Sequence, residues 1–317
     1  MLRHILSTFL CFSVIAHAEQ VARPGLVNER EVMTQLQIFL DQQLFGPGKI
    51  DGRGGEFTTK ALKRYQRAQG LPETGMIDAN IPLDSVFPVY IEYTITDGDL
   101  QWIGDCPTKP AEQAQKKYLP YDSLFEFLTE RFHCDPYLLV KLNPTLKMDN
   151  LKSGDTVRVP NVEPFKIEEL PKQGNLAPKP AFKERVITIY RKDRMLELTE
   201  SEKLLAAVPI TPGSETLPTP EGTWKILGIA AMPTFRWDEG VLNHGIRTEN
   251  FYNLPAGPNN PVGVLWCGLN KPGIGIHGTN SPQTIGRSAS HGCMRVANWD
   301  VIRLSKMITA GMTVIIK

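Results

Sequence analysis

Cys293 sits in the run Ser290-His291-Gly292-Cys293-Met294-Arg295, and a second histidine, His277, lies sixteen positions upstream at the end of a β-like apolar run. These residue types at this spacing suit acyl transfer. A thiol is a weak nucleophile until a base or a positive field takes its proton. Histidine is the usual base, because its ordinary pKa lies near neutrality. Gly292 lets backbone N–H groups approach a substrate and face a developing oxyanion. Residues 274–296 thus hold a nucleophile, a base and oxyanion donors. A lone cysteine reads more simply as a buried thiol, but the flanking Ser-His-Gly and His277 disfavour that. Zinc is disfavoured too, since His277, His291 and Cys293 lack C-x-x-C or H-x-x-x-H spacing and a fourth ligand. No metal or organic cofactor is expected.

The neighbours of the pair carry secondary expectations. Ser290 should hydrogen-bond the turn. His291, on the same tight turn, is either a second base or a structural residue; the favoured expectation is that it points away from the thiol and steadies the turn. Arg295 and Arg287 flank the cysteine, and a guanidinium there suits a peptide carboxylate; a solvated surface arginine is the alternative for each. Trp237 and Trp266 read as core or cleft residues, and His244 as a loop residue.

The pattern IHGT, then IGR, then SHGCMR resembles the signature of the L,D-transpeptidase (YkuD-type) catalytic domain. Gly-Pro-Asn-Asn-Pro-Val-Gly at 257–263 and Thr-Pro-Glu-Gly at 219–222 resemble further parts of it. The resemblance covers residues 184–317. It implies a mostly-β domain in which Cys293 is the nucleophile, His277 the base, and the Gly278 carbonyl orients the ring. It implies acyl transfer between peptidoglycan stem peptides through a cysteine thioester, giving 3→3 cross-links or wall-attached proteins. It also implies covalent inhibition by carbapenem-type β-lactams. The same residues would serve an L,D-carboxypeptidase that uses water, and a non-catalytic wall-binding protein is the remaining alternative.

Other elements must position this segment. Val186–Tyr190, residues 195–199, 223–229, 262–269 and 312–316 read as strands. Residues 299–308 read as the one convincing helix of this region, with Asn298 as N-cap. Upstream, residues 28–44 carry a helical apolar pattern, and a second helix, capped by Thr58 or Thr59, runs through Ala68. Asp51-Gly52, Tyr65-Gln66 and the Gly-Leu-Pro-Glu-Thr-Gly run at 70–75 resemble the peptidoglycan-binding type 1 module, placed at 28–85. Residues 90–162 resemble a divergent LysM domain, a β-α-α-β unit, interrupted by an insertion at 101–120. Residues 163–183, rich in proline and charge, read as a semi-rigid linker. The fold class is multidomain: a small helical module and an α+β LysM-like module precede a mostly-β catalytic domain.

The 317 residues suit two or three domains. A net charge of +1 gives no broad basic surface for nucleic acid. Residues 1–18 read as an export signal, with a basic start, an apolar run and Ala16-His17-Ala18 as cleavage site, which removes Cys11. No later segment suits a membrane helix, so the mature protein is placed in the periplasm or wall. An exported chain meets an oxidising compartment, so Cys106 and Cys134 are expected to form a disulfide. Cys267 reads as a buried strand residue.

Overall fold

The computed structural model describes residues 28–317; the expected signal peptide and Cys11 lie outside them. Helix α1 (Glu29–Gln42) starts where the Asn28 side chain accepts the Arg30 N–H at 3.2 Å. Its Leu36, Phe39 and Leu40 are buried. Helix α2 (Glu56–Ala68) begins ahead of the expected threonine cap, with Gly55 as N-cap and no side-chain cap bond. Thr58 is instead buried and accepts the Gln37 amide at 3.2 Å. Gln37 also accepts the N–H groups of Asp51 and Gly52, at 3.1 and 2.9 Å, so α1 pins that turn. Gly52 has φ +66°, and a Cβ there would come within 2.7 Å of Thr34 and Arg30.

Strand β1 (Tyr90–Thr94) pairs antiparallel with β2 (Thr156–Pro160). Between them run α3 (Asp97–Leu100), α4 (Pro110–Gln113), α5 (Leu124–Arg131) and α6 (Pro136–Leu142). The insertion at 101–120 is a docking element. The Leu119 N–H donates to the Ala256 carbonyl at 2.9 Å, and Asn259 Nδ2 donates to the Pro120 carbonyl at 2.8 Å.

The expected linker is packed rather than free. Phe165 and Ile167 are buried, and β3 (Gly174–Asn175) pairs with a strand of the large sheet. Prolines there shape the path, while the few apolar residues between them supply the anchoring that composition hides.

The C-terminal region holds β4 (Val186–Tyr190), β5 (Met195–Glu200), β6 (Lys203–Pro209), β7 (Gly222–Ala231), β10 (Leu265–Leu269), β11 (Gly275–His277), β12 (Met294–Arg295) and β13 (Thr313–Ile316) in one sheet. The order is β12-β11-β10-β7-β13-β4-β5-β6, with β3 beside β7. Helix α8 (Asn298–Ser305) packs Val301 and Leu304 into its core. An excursion between β7 and β10 carries β8 (Phe235–Trp237), a second helix α7 (Glu239–His244) that the apolar pattern did not show, and β9 (Tyr252–Leu254). No residue of α7 is buried, so it has no apolar stripe to read; Asp238 caps it instead, accepting from Gly240 and Val241.

The modules share one core, in which Phe45 and Tyr65 join Met195, Leu204 and Ala207. Glu197, 4% exposed, takes Arg64 at 2.8 Å and Arg67 at 2.7 Å. Asp41 takes Arg303 at 2.8 Å, and its carboxyl sits well below the usual range because Arg303 and His133 outweigh the burial that opposes it. Among the described residues no helix is long and apolar enough to cross a membrane.

The expected Cys106–Cys134 bond is absent, and both thiols are free. The Cys106 N–H donates to Asp122, just before α5, whereas Cys134 follows the other end of that helix. Eight helical residues separate the ends by about 12 Å, beyond the roughly 7 Å that a disulfide spans between Cα atoms. Burial pushes the Cys134 thiol well up, and burial with nearby carboxylates pushes Cys106 up to about 11.

Candidate active site

The sheet edge builds the site. Strand β11 delivers His277 and pairs in parallel with β12, so that His277 lies opposite Arg295, two residues past Cys293. Both Cys293 and His277 line a cleft of about 340 Å³ with Trp237, Leu242, Trp266, His291 and Arg295. The excursion between β7 and β10 forms one wall.

His277 is 5% exposed. Its Nδ1 lies 2.6 Å from the Gly278 carbonyl, which can only accept, so Nδ1 carries the proton. Nε2 is then the ring's acceptor. Trp266 stacks on the imidazole, centroids 5.4 Å apart and planes 20° apart. Burial pushes the ring down to about 4, helped by Arg295 and opposed by the Gly278 bond. The ring is therefore neutral at pH 7. Burial also pushes the Cys293 thiol up to about 11, against the Gly275 backbone N–H. The resting pair is a neutral thiol and a neutral imidazole. The thiol donates to the Gly273 carbonyl at 3.4 Å.

Ser290 ties the cysteine turn. Its hydroxyl donates to the Cys293 carbonyl at 2.6 Å and accepts the Gly292 N–H at 3.2 Å. That second bond changes the oxyanion expectation: the Gly292 N–H is already held, because φ +110° turns it onto Ser290. Gly292 is needed for its φ of +110°, and the neighbouring Gly213 for space, since a Cβ there would lie 2.9 Å from the Gly292 Cα. The Thr-Pro-Glu-Gly motif acts through the same contact, since the Thr219 hydroxyl accepts the Gly213 N–H at 2.7 Å.

His291, expected to point away from the thiol, is exposed and lines the same cleft as Cys293, and among the described residues its ring makes no hydrogen bond. Arg295 spends one terminal nitrogen on Ser288 and Ala289, at 2.7 and 2.9 Å, while its Nε is buried without a partner. Arg287 is exposed and lines a separate groove beside Phe57 and Arg53, away from the cysteine. The neighbouring Gly286 packs so closely on the Phe57 ring that a Cβ would approach to 2.0 Å, which turns this loop toward the helical module. Cys267 is buried on β10 opposite Ile276, and burial raises its thiol to about 12.

Sequence reasoning misassigned Asn298. Ala297 is the N-cap of α8, without a side-chain cap bond. Asn298 is fully buried, and its Oδ1 accepts the Val264 and Thr279 N–H groups at 3.2 and 3.1 Å. Among the described residues no cluster of His, Cys, Asp and Glu is arranged to hold a metal.

Residues 184–316 match the family of the L,D-transpeptidase catalytic domain. The chain carries an L,D-transpeptidase catalytic domain. Residues 29–81 match the peptidoglycan binding domain family. The protein named as L,D-transpeptidase YkuD of Bacillus licheniformis is 26% identical over 189 residues, 60% of this chain and 90% of that protein. The YkuD protein of Bacillus subtilis is 39% identical over 87 residues, 27% of this chain and 53% of that one, about half its length. Among solved structures, an L,D-transpeptidase from Mycobacterium smegmatis aligns at 15% identity and a TM-score of 0.35, over 53% of this chain and 76% of that one. The cleft described above lies within this transpeptidase domain.

Proposed function

We propose that this protein is an exported L,D-transpeptidase acting on peptidoglycan tetrapeptide stems through a Cys293 thioester. The observation that carries this reading is the orientation of His277. Its Nδ1–H is held by the Gly278 carbonyl, which leaves Nε2 as acceptor in the cleft that also holds Cys293. The Cys293 sulfur attacks the carbonyl carbon of the third stem residue while its proton passes to Nε2. The Cys293 N–H is the donor assigned to the oxyanion, since Gly292 is engaged. Such a donor is worth about 3–4 kcal/mol. The imidazolium then protonates the departing D-Ala amine as the C–N bond breaks. An acceptor amine attacks the thioester, gives its proton to His277, and the thiol is restored. Arg295, which lines the same cleft, is the residue we assign to a stem carboxylate.

Residues 1–18 support export, and the helical module supports retention on glycan strands; the antiparallel pairing of β1 with β2 around α5 and α6 supports a LysM-like reading of residues 90–162, with α3 and α4 as additions. Carbapenems are expected to acylate Cys293. Purified protein incubated with a tetrapeptide muropeptide should yield 3→3 linked dimers with loss of D-Ala, read by mass spectrometry. Tripeptide alone would make water the acceptor and a carboxypeptidase the better reading. No product, with sacculus binding retained, would leave a wall-binding protein.

A further inference from the structure

We infer that Glu130, on α5 outside the transpeptidase domain, is a positioning residue for His277, acting through Asn298 and the Gly278-Thr279 backbone. The inference rests on the reading of His277 as the base. Asn298 Nδ2 donates to Glu130 Oε1 at 2.9 Å. The other end of that amide, Oδ1, accepts the Thr279 and Val264 N–H groups at 3.1 and 3.2 Å. The peptide so held is the one whose Gly278 carbonyl sits 2.6 Å from His277 Nδ1. Each link is buried: Glu130 is 5% exposed, and Asn298 and Thr279 are 0%.

The chemistry of an amide explains why Glu130 matters. The oxygen and nitrogen ends of Asn298 are nearly equal in shape but opposite in function. Two backbone N–H donors need the oxygen end. An acceptor on the far side, Glu130 Oε1, requires the nitrogen end there. Glu130 thereby fixes which way the amide points. A flipped amide would aim N–H groups at N–H groups and push the loop away. There is little room to compensate, as a Cβ on Gly278 would lie 2.1 Å from Asn298 Oδ1. The carboxyl is itself held by the Tyr121 hydroxyl, which donates to Oε2. The Leu119–Ala256 bond adds a second tie between this middle region and the catalytic domain.

The test uses the full-length protein and a carbapenem, with acylation followed by intact mass at a series of concentrations. Glu130→Ala should lower the limiting acylation rate about 10- to 100-fold, the usual cost of losing a partner that orients a site ligand or base. The half-saturating concentration should move less than about threefold, because the carbapenem does not touch Glu130. Glu130→Gln keeps the acceptor oxygen and should restore most of the rate. Glu130→Ala combined with Asn298→Ala should be no slower than Asn298→Ala alone, within about twofold, since both act on one path. The low-field His277 Nδ1–H proton resonance should persist in the wild type and in Glu130→Gln and vanish in Glu130→Ala. Glu130→Met keeps the volume and carries the comparison if the alanine variant does not fold. A folded, acceptor-less variant with the wild-type rate and resonance overturns the inference, as do additive losses in the double variant. So does failure of both Ala and Met variants to fold while Gln folds, which makes the residue structural. His277→Ala is run beside them: if it keeps the wild-type rate, the base assignment fails, whatever Glu130 does.

Discussion

The most demanding consequence concerns pH. An ordinary imidazole with a pKa of 6.5 is protonated about ten to one at pH 5.5. His277 at about 4 is neutral by about thirty to one at the same pH. The site should therefore acylate at pH 5.5 about tenfold faster than one built on an ordinary histidine. With Cys293 near 11, only about one molecule in ten thousand is a thiolate at pH 7, so the proton must move to His277 as the bond forms. The limiting acylation rate by a carbapenem should be nearly flat from pH 5.5 to 8 and fall only toward pH 4. Trp266→Ala uncovers the face of the ring, relieves the burial that dominates its shift, and should move the acid limb upward toward 6.5. The unfolded chain takes a proton below 6.5 that the native ring refuses, so stability falls between pH 6.5 and about 4, by up to roughly 3 kcal/mol. An acid limb centred at 6.5 or above in the wild type, or a rate that climbs tenfold per unit through neutrality, would refute the neutral-pair reasoning.

Cys293→Ala should abolish carbapenem adduct formation while circular dichroism stays native, and peptide mapping of the wild type should place the single adduct on Cys293, never on Cys267. Non-reducing mapping of folded protein should find Cys106 and Cys134 unbridged; alkylation under native conditions should reach Cys106 well before the buried Cys134. Arg64→Ala strips buried Glu197 of one of its two guanidinium partners and should destabilise the fold by about 3 kcal/mol, read by urea unfolding; a change under 1 kcal/mol would show that the helical module docks without this pair. Glu130, pushed by burial up to about 8, stabilises the fold below pH 4.5 and loses that contribution as pH rises through 8. The Glu130→Gln variant should accordingly show a flatter Tm between pH 5 and 8.

Short-range patterns in the sequence carried the chemical proposal. Ser-His-Gly-Cys on one turn and Ile-His-Gly-Thr upstream are local statements of nucleophile, base and orienting carbonyl, and they needed no tertiary knowledge. Strands β4, β5, β7, β10 and β13 were legible because their alternation and apolar runs are period-two signals, whereas β6 and the short β8, β9 and β12 were not read. Asn298 was misread because an asparagine before an apolar helix is also the sign of a cap, and only the fold brings Val264, Thr279 and Glu130 to its amide. Arg287 was placed with the cysteine because sequence distance is short, whereas the Gly286 contact with Phe57 turns it to another surface. The disulfide failed for a like reason: compartment and spacing permit a bond, but a helix stands between the thiols. The linker was read from its prolines, while two buried side chains decide that it packs. The sequence by itself singled out the cysteine and histidine proposed to react. The tertiary structure decided their protonation and support, because burial shifts a pKa and long-range hydrogen bonds fix an amide, and neither is written in the order of residues.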